Sequence, residues 1–182
     1  MELRIIEKYR SFTPLNKFLI KGAFLYMVWR VFRKLTIMYE MNGSVTRSFG
    51  NIYVNVADFF LRLIGYKAEI NYEYNFMGIP GGEGVVVEFD CMAFSVMALF
   101  SIFVIAYPGS LKVKSWYIPL GLVVIFFINA FRIAALTLVV HFLPQYMDLF
   151  HHFIFQALVY FFVILMWLFW IKKLEVKVKM NS

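Results

Sequence analysis

Cys91, Arg132 and the pair His151 and His152 are the residues of this chain whose types could together do covalent chemistry. A cysteine thiolate attacks a carbonyl, an imidazole moves the proton, and a guanidinium stabilises the negative charge that develops on oxygen. Cys91 is the only cysteine, so no intramolecular disulfide can form. A lone cysteine is also a common apolar filler, so a reactive reading needs local support. Asp90 is a favourable N-cap residue, which puts Cys91 in the first turn of a helix whose N-terminus favours a thiolate. The strand-to-helix junction there also exposes the side chain, while the Asp90 charge works against the thiolate.

Arg132 interrupts an otherwise uncharged run, 116–142. It lies 16 residues beyond Trp116, or about 24 Å along a helix. A cation at that depth is costly unless it is paired, faces a water-filled cavity or snorkels outward. Asn129, three residues earlier, shares its helical face. His151 and His152 open the last apolar run, where either could be only a polar cap. A metal site is less attractive, because no CxxC or HExxH spacing is present, and no cofactor is called for.

These residues must be positioned by elements built for lipid. The chain of 182 residues is 62% hydrophobic, 20% aromatic and only 16% charged, unlike an average soluble domain. The runs 116–142 and 153–171 each reach the roughly 20 residues that a helix needs to cross the hydrocarbon core. The net charge of +7 sits mainly at the ends of apolar runs rather than on a polar face, which fits membrane topology better than nucleic-acid binding. Lys112 and Lys114 before one span, and Lys172, Lys173, Lys177 and Lys179 after the last, place those segments in the cytoplasm. Cys91 then starts on the outside. Arg4, Glu7, Lys8 and Arg10 are followed by Lys17 and Lys21 instead of a short apolar core, so insertion falls to the internal spans.

The remaining elements follow from period. Helices at 15–37 and 49–66 are either spanning or interfacial, and Asn51, Asn55, Asp58 and Arg62 form a polar stripe on the second, opposite Ile52, Phe59 and Leu63. Strict alternation from Glu69 to Phe76, a turn with Gly78, Pro80, Gly81, Gly82 and Gly84, and a run at 85–89 predict an external β-hairpin within 67–90. An open hairpin leaves peptide groups unpaired and so belongs outside the hydrocarbon. Transmembrane helices follow at 91–107, 116–140 and 153–171. The fold class is a polytopic α-helical membrane protein, a single helix bundle with a short extracytoplasmic β-hairpin before the cysteine helix.

The strand–Cys91–helix arrangement, Asn129-Ala130-Phe131-Arg132-Ile133 inside a span, and Phe150-His151-His152-Phe153 opening the last span together resemble the exosortase and archaeosortase family of membrane transpeptidases. The resemblance covers about residues 85–170. The 41 residues from Cys91 to Arg132 are similar to the family's separation, and the chain resembles the short members found in Bacteroidetes. Met92 and Ala93 follow the cysteine where the family usually has Ser or Ala and then Gly. His152 stands where Asp or Glu is common, which makes His151 the better catalytic candidate and His152 the reserve.

The resemblance implies a cysteine peptidase or transpeptidase that cuts C-terminal sorting signals from exported, membrane-tethered proteins through a thioester. Cys91, Arg132 and His151 would be the catalytic set, with Asn129 in support. Its partners would be the sorting signal, membrane lipids and a lipid or glycan amine as acceptor. Its place would be a prokaryotic cytoplasmic (inner) membrane, with the site facing the periplasm. The competing reading is a non-enzymatic membrane assembly or transport subunit, in which Arg132, Asn129 and the Asn51 to Arg62 stripe form a polar helix interface.

Overall fold

A computed structural model describes residues 13–39 and 43–175. Arg4, Glu7, Lys8, Arg10, Lys177 and Lys179, whose charges enter the topology reading, lie outside the described residues. Five longer helices carry the fold: α1 (Pro14–Tyr39), α2 (Ser44–Leu63), α3 (Phe94–Ala106), α4 (Leu111–Phe142) and α5 (Phe155–Phe169). Three short strands, β1 (Glu69–Asn71), β2 (Phe76–Gly78) and β3 (Gly84–Val86), lie between α2 and α3.

Among the described residues, two helices are long and apolar enough to cross a membrane: α4, and the continuous stretch Pro144–Lys172 that contains α5. By itself α3, with 13 residues, rises only about 20 Å. It starts later than the 91–107 reading puts it, because a 3₁₀ turn at Phe89–Met92 precedes it and Ala93 breaks the helix with a φ of 58°. At its other end Pro108 stops the helix, and Lys114 closes it. The ammonium of Lys114 is buried and donates to the carbonyl oxygens of Ile105 and Tyr107 at 2.9 and 2.6 Å. A lysine read from sequence as a charge in a loop is thus a C-terminal cap reached from the first turn of the next helix.

The long helix α4 is shared by two apolar clusters. One joins its upper half, through Ala130, Ile133, Leu136 and Val140, to Tyr53, Val54 and Leu61 of α2 and to Met77, Val85 and Val87 of the sheet. The other joins its lower half, through Tyr117 and Ile125, to Phe100 and Val104 of α3 and to Val163 and Trp170 of the last helix. Gly121 makes the second cluster possible: a Cβ there would stand 2.2 Å from the ring of Phe100, which is fully buried. Small residues at such crossings let helices approach where no water-driven collapse assists them. α1 lies on α3, with Phe18 edge-on to Phe103 at 5.5 Å.

The polar stripe of α2 has a local purpose. Asn55 accepts a hydrogen bond from the Tyr72 hydroxyl at 2.9 Å, and Asp58 accepts one from the Ala68 backbone N–H and pairs with Arg62 at 2.6 Å. The stripe therefore docks the sheet and the chain leading into it, while Ile52, Phe59 and Leu63 are exposed. The sheet itself is antiparallel in the order β1-β2-β3, with Ile70 opposite Met77 and Met77 opposite Val85. The alternating segment from Glu69 to Phe76 is accordingly not one strand but two. Asn71 accepts from the Glu73 backbone N–H at 2.9 Å, and Asn75 takes a φ of 51°, so asparagines turn the chain where alternation alone would extend it.

Replacing Gly121 by Ala overpacks the α3–α4 crossing and lowers stability by about 1–3 kcal/mol. Thermal aggregation of detergent-solubilised protein checks this, and an unchanged midpoint would show that Phe100 can yield.

Candidate active site

The cysteine turn is held from two sides. The Phe89–Met92 turn closes with Cys91 N–H donating to the Glu88 carbonyl at 2.9 Å, and the left-handed Ala93 then redirects the chain into α3. Tyr53 of α2 donates its hydroxyl to the Met92 carbonyl at 2.6 Å, and Asn129 of α4 donates its side-chain amide to the Cys91 carbonyl at 2.6 Å. Both holding side chains are almost fully buried. The turn is thus fixed through its backbone, which leaves the sulfur of Cys91 free to face elsewhere.

The sulfur faces His151. Cys91 Sγ and His151 Nε2 are 3.8 Å apart. His151 lies in a π-helical turn, Phe150–Ile154, which follows a single helical turn at Met147–Leu149 and leads into α5. Such wide turns leave backbone carbonyls less regularly paired. The carbonyl of His151 accepts from Arg132 Nη2 at 3.3 Å, while Arg132 Nη1 donates to Asn129 Oδ1 at 3.4 Å. Arg132 Nε is buried and has no partner among the described residues. The guanidinium is therefore stretched between α4 and the histidine turn, with donor capacity left over.

The structure brings Cys91, Arg132, His151 and Asn129 together at one place. His152 adjoins His151 edge-on, with ring centroids 4.6 Å apart, while the sulfur contact is made by His151. A cavity of about 340 Å³ opens on Cys91, Arg132, His151 and His152 and continues between Val96 of α3 and Tyr160 of α5. A second cavity, of about 120 Å³, meets the same Cys91, Arg132 and His151 from the side of β3. Among the described residues, no three His, Cys, Asp or Glu side chains converge in a way that could hold a metal ion.

Two contributors escape a reading by sequence. Asp90 caps no helix; its carboxylate pairs with Arg33 of α1 at 2.5 Å, beside the cavity. Arg33 is one of several basic residues on a helix that is otherwise apolar, and nothing local marks it as the partner of a residue 57 positions away. Tyr53 carries no polar pattern at all.

The electrostatics differ from a thiolate at a helix N-terminus. Cys91 sits in the turn ahead of the membrane-spanning helices, and burial pushes its thiol above the ordinary range. The Arg132 guanidinium and the Glu88 hydrogen bond pull the other way without overcoming burial, and the Glu88 and Asp90 charges add to the rise. Burial thus disfavours the thiolate, and the His151 imidazole lies beside the sulfur, where it could accept the thiol proton.

Alkylation of Cys91 by iodoacetamide should rise with pH through a midpoint above that of a free cysteine, because the thiolate reacts and burial raises its pKa. Arg132→Gln moves that midpoint further alkaline by removing the nearest cation; a midpoint on the acid side of free cysteine would contradict this account. Ala93 holds a left-handed backbone that costs an L-residue about 1–2 kcal/mol. Ala93→Gly is therefore tolerated, whereas Ala93→Val loses about 1–3 kcal/mol more in thermal unfolding.

Comparison with known protein families agrees with the family resemblance read from the sequence. The family model described as transmembrane exosortase matches residues 18–170, most of the chain. Neither the curated proteins nor the solved structures give a match. The chain belongs to the transmembrane exosortase family.

Proposed function

We propose that this protein is a cysteine transpeptidase that cuts a C-terminal sorting signal by way of a thioester on Cys91. The observation that carries the reading is the approach of Cys91 Sγ to His151 Nε2, at 3.8 Å, beside a guanidinium with an unpartnered N–H. The family acts on C-terminal sorting signals of its substrates, and both cavities give such a peptide access to the sulfur.

In the first half-reaction His151 takes the thiol proton, and the sulfur attacks the carbonyl carbon of the scissile peptide bond. The carbonyl oxygen becomes an oxyanion, which Arg132 stabilises. The C–N bond then breaks, and the imidazolium returns its proton to the departing amine, leaving a thioester. In the second half-reaction an amine acceptor, such as that of a lipid or glycan, loses a proton to His151 and attacks the thioester. The thiol is regenerated and a new amide forms. Water in place of the amine gives hydrolysis. His152 is the reserve for His151, and Asn129 positions the turn that bears the sulfur. Lysines flanking the apolar helices argue for a site on the outer face of a cytoplasmic membrane.

Cys91→Ala should lower processing of exported proteins bearing such signals by at least about 10³-fold, while membrane accumulation stays normal. His151→Ala should cost more than His152→Ala. Recovery of a substrate thioester on the wild-type protein, identified after acid quench, is the direct test. Undiminished processing by Cys91→Ala would reject the mechanism and favour a non-enzymatic subunit built around Arg132.

A further inference from the structure

A peptide bond can be attacked only where its carbonyl is free, and inside a helix that carbonyl is committed to an N–H four residues on. The segment presented to Cys91 must therefore be extended, and an extended chain needs partners for its own peptide groups. The sheet beside the site offers them.

β3 is an edge strand in the order β1-β2-β3. Val87 N–H donates to the Asn75 carbonyl at 3.0 Å, and Val85 lies opposite Met77. Opposed residues in antiparallel pairs alternate between bonded and non-bonded. Val85 and Val87 thus turn their peptide groups toward β2, and Gly84 and Val86 turn theirs outward. Among the described residues, no backbone or side-chain group bonds to that outer row.

Edges of this kind are ordinarily blunted by lysine, proline or a bulge, yet this one reads Gly84-Val85-Val86-Val87. The side chains of Val85 and Val87 are buried in the cluster with Ile133 and Leu136 of α4, so the strand is rigidly backed. The open row does not look onto featureless solvent. It borders the cavity of about 120 Å³ between β3 and Met147, and that cavity ends on Cys91, Arg132 and His151. The same three side chains close the larger cavity on the other side, where Val96 of α3 and Val159 and Tyr160 of α5 form apolar walls.

We infer that the part of the sorting signal preceding the scissile bond binds as a fourth strand on the outer edge of β3. Its peptide groups pair with those of Val86, and the part after the scissile bond occupies the larger cavity between α3 and α5. This rests on the function proposed above and adds how the substrate is held. Backbone pairing supplies affinity that depends little on sequence, as in other strand additions. The scissile carbonyl is then delivered where the two cavities meet.

Val86→Pro removes the outward N–H and breaks no bond within the sheet, since proline is tolerated where an edge N–H faces away. Thioester yield on Cys91 is measured in membranes with the sorting-signal protein that the acid-quench trap recovers. Val86→Pro should lower it about tenfold, the worth of one lost backbone hydrogen bond. Ile70→Pro, the same change on the far edge opposite Met77, should give wild-type yield.

Should Val86→Pro fail to accumulate, cross-linking decides. Val86→Cys in a Cys91→Ala background is paired with single cysteines at successive substrate positions before the scissile bond. Disulfides should form at every second position only. Wild-type yield from Val86→Pro, or cross-links without that period, would overturn strand addition while leaving the thioester chemistry standing. If the wild-type protein formed no thioester at all, the proposed function would fail and strand addition with it.

Discussion

The position of the half-buried Arg132 on an apolar helix is the constraint from which the rest of the site follows. A guanidinium inside an apolar helix cannot shed its proton and must find acceptors. Those in reach are the Asn129 side chain on its own helix and the carbonyl of His151 on another. Asn129, once its oxygen is engaged, has its amide left to hold the Cys91 carbonyl. One cation thus connects α4, the cysteine turn and the histidine turn through a chain of polar contacts, with sulfur and imidazole at its end. Removing the guanidinium would take the same donor from the Asn129 oxygen and the His151 carbonyl, so geometry and charge would change together.

The apolar clusters divide the labour. The cluster of α2, the sheet and upper α4 forms a platform that fixes the backbone of the cysteine turn, with Met92 fully buried in it. The cluster of α3, lower α4 and α5 sets how far apart the helices stand at the cavity. The cysteine turn lies at the seam between them, where Ala93 leaves one and enters the other. A left-handed alanine at a seam is a local strain that the packing on both sides must sustain.

Much of this was legible from residue type and period. The long uncharged runs identify α4 and α5 because each reaches the length that a helix needs to cross the hydrocarbon core. The depth of Arg132 and the position of His151 at the start of a run are simple consequences of helical rise. Other features were not legible. Alternation from Glu69 to Phe76 fits a strand and also fits two short strands around a turn, and only the left-handed Asn75 decides. Asp90 with Arg33, and Tyr53 with Met92, join residues 57 and 39 positions apart, and no local pattern encodes such pairs. The capping role of Lys114 was hidden because a lysine beside a span is fully accounted for by topology.

The π-helical turn at Phe150–Ile154 sets the rotational phase of everything after it. A π turn carries one residue more than an α turn, so it advances the chain by an extra position without an extra rise. Val159 and Val163 are buried in that phase, and so is Trp170. Relaxing the turn to regular α geometry would swing His151 and those residues together around the helix axis. Placement of the imidazole and seating of the last helix are therefore a single choice of register, which neither can alter without the other.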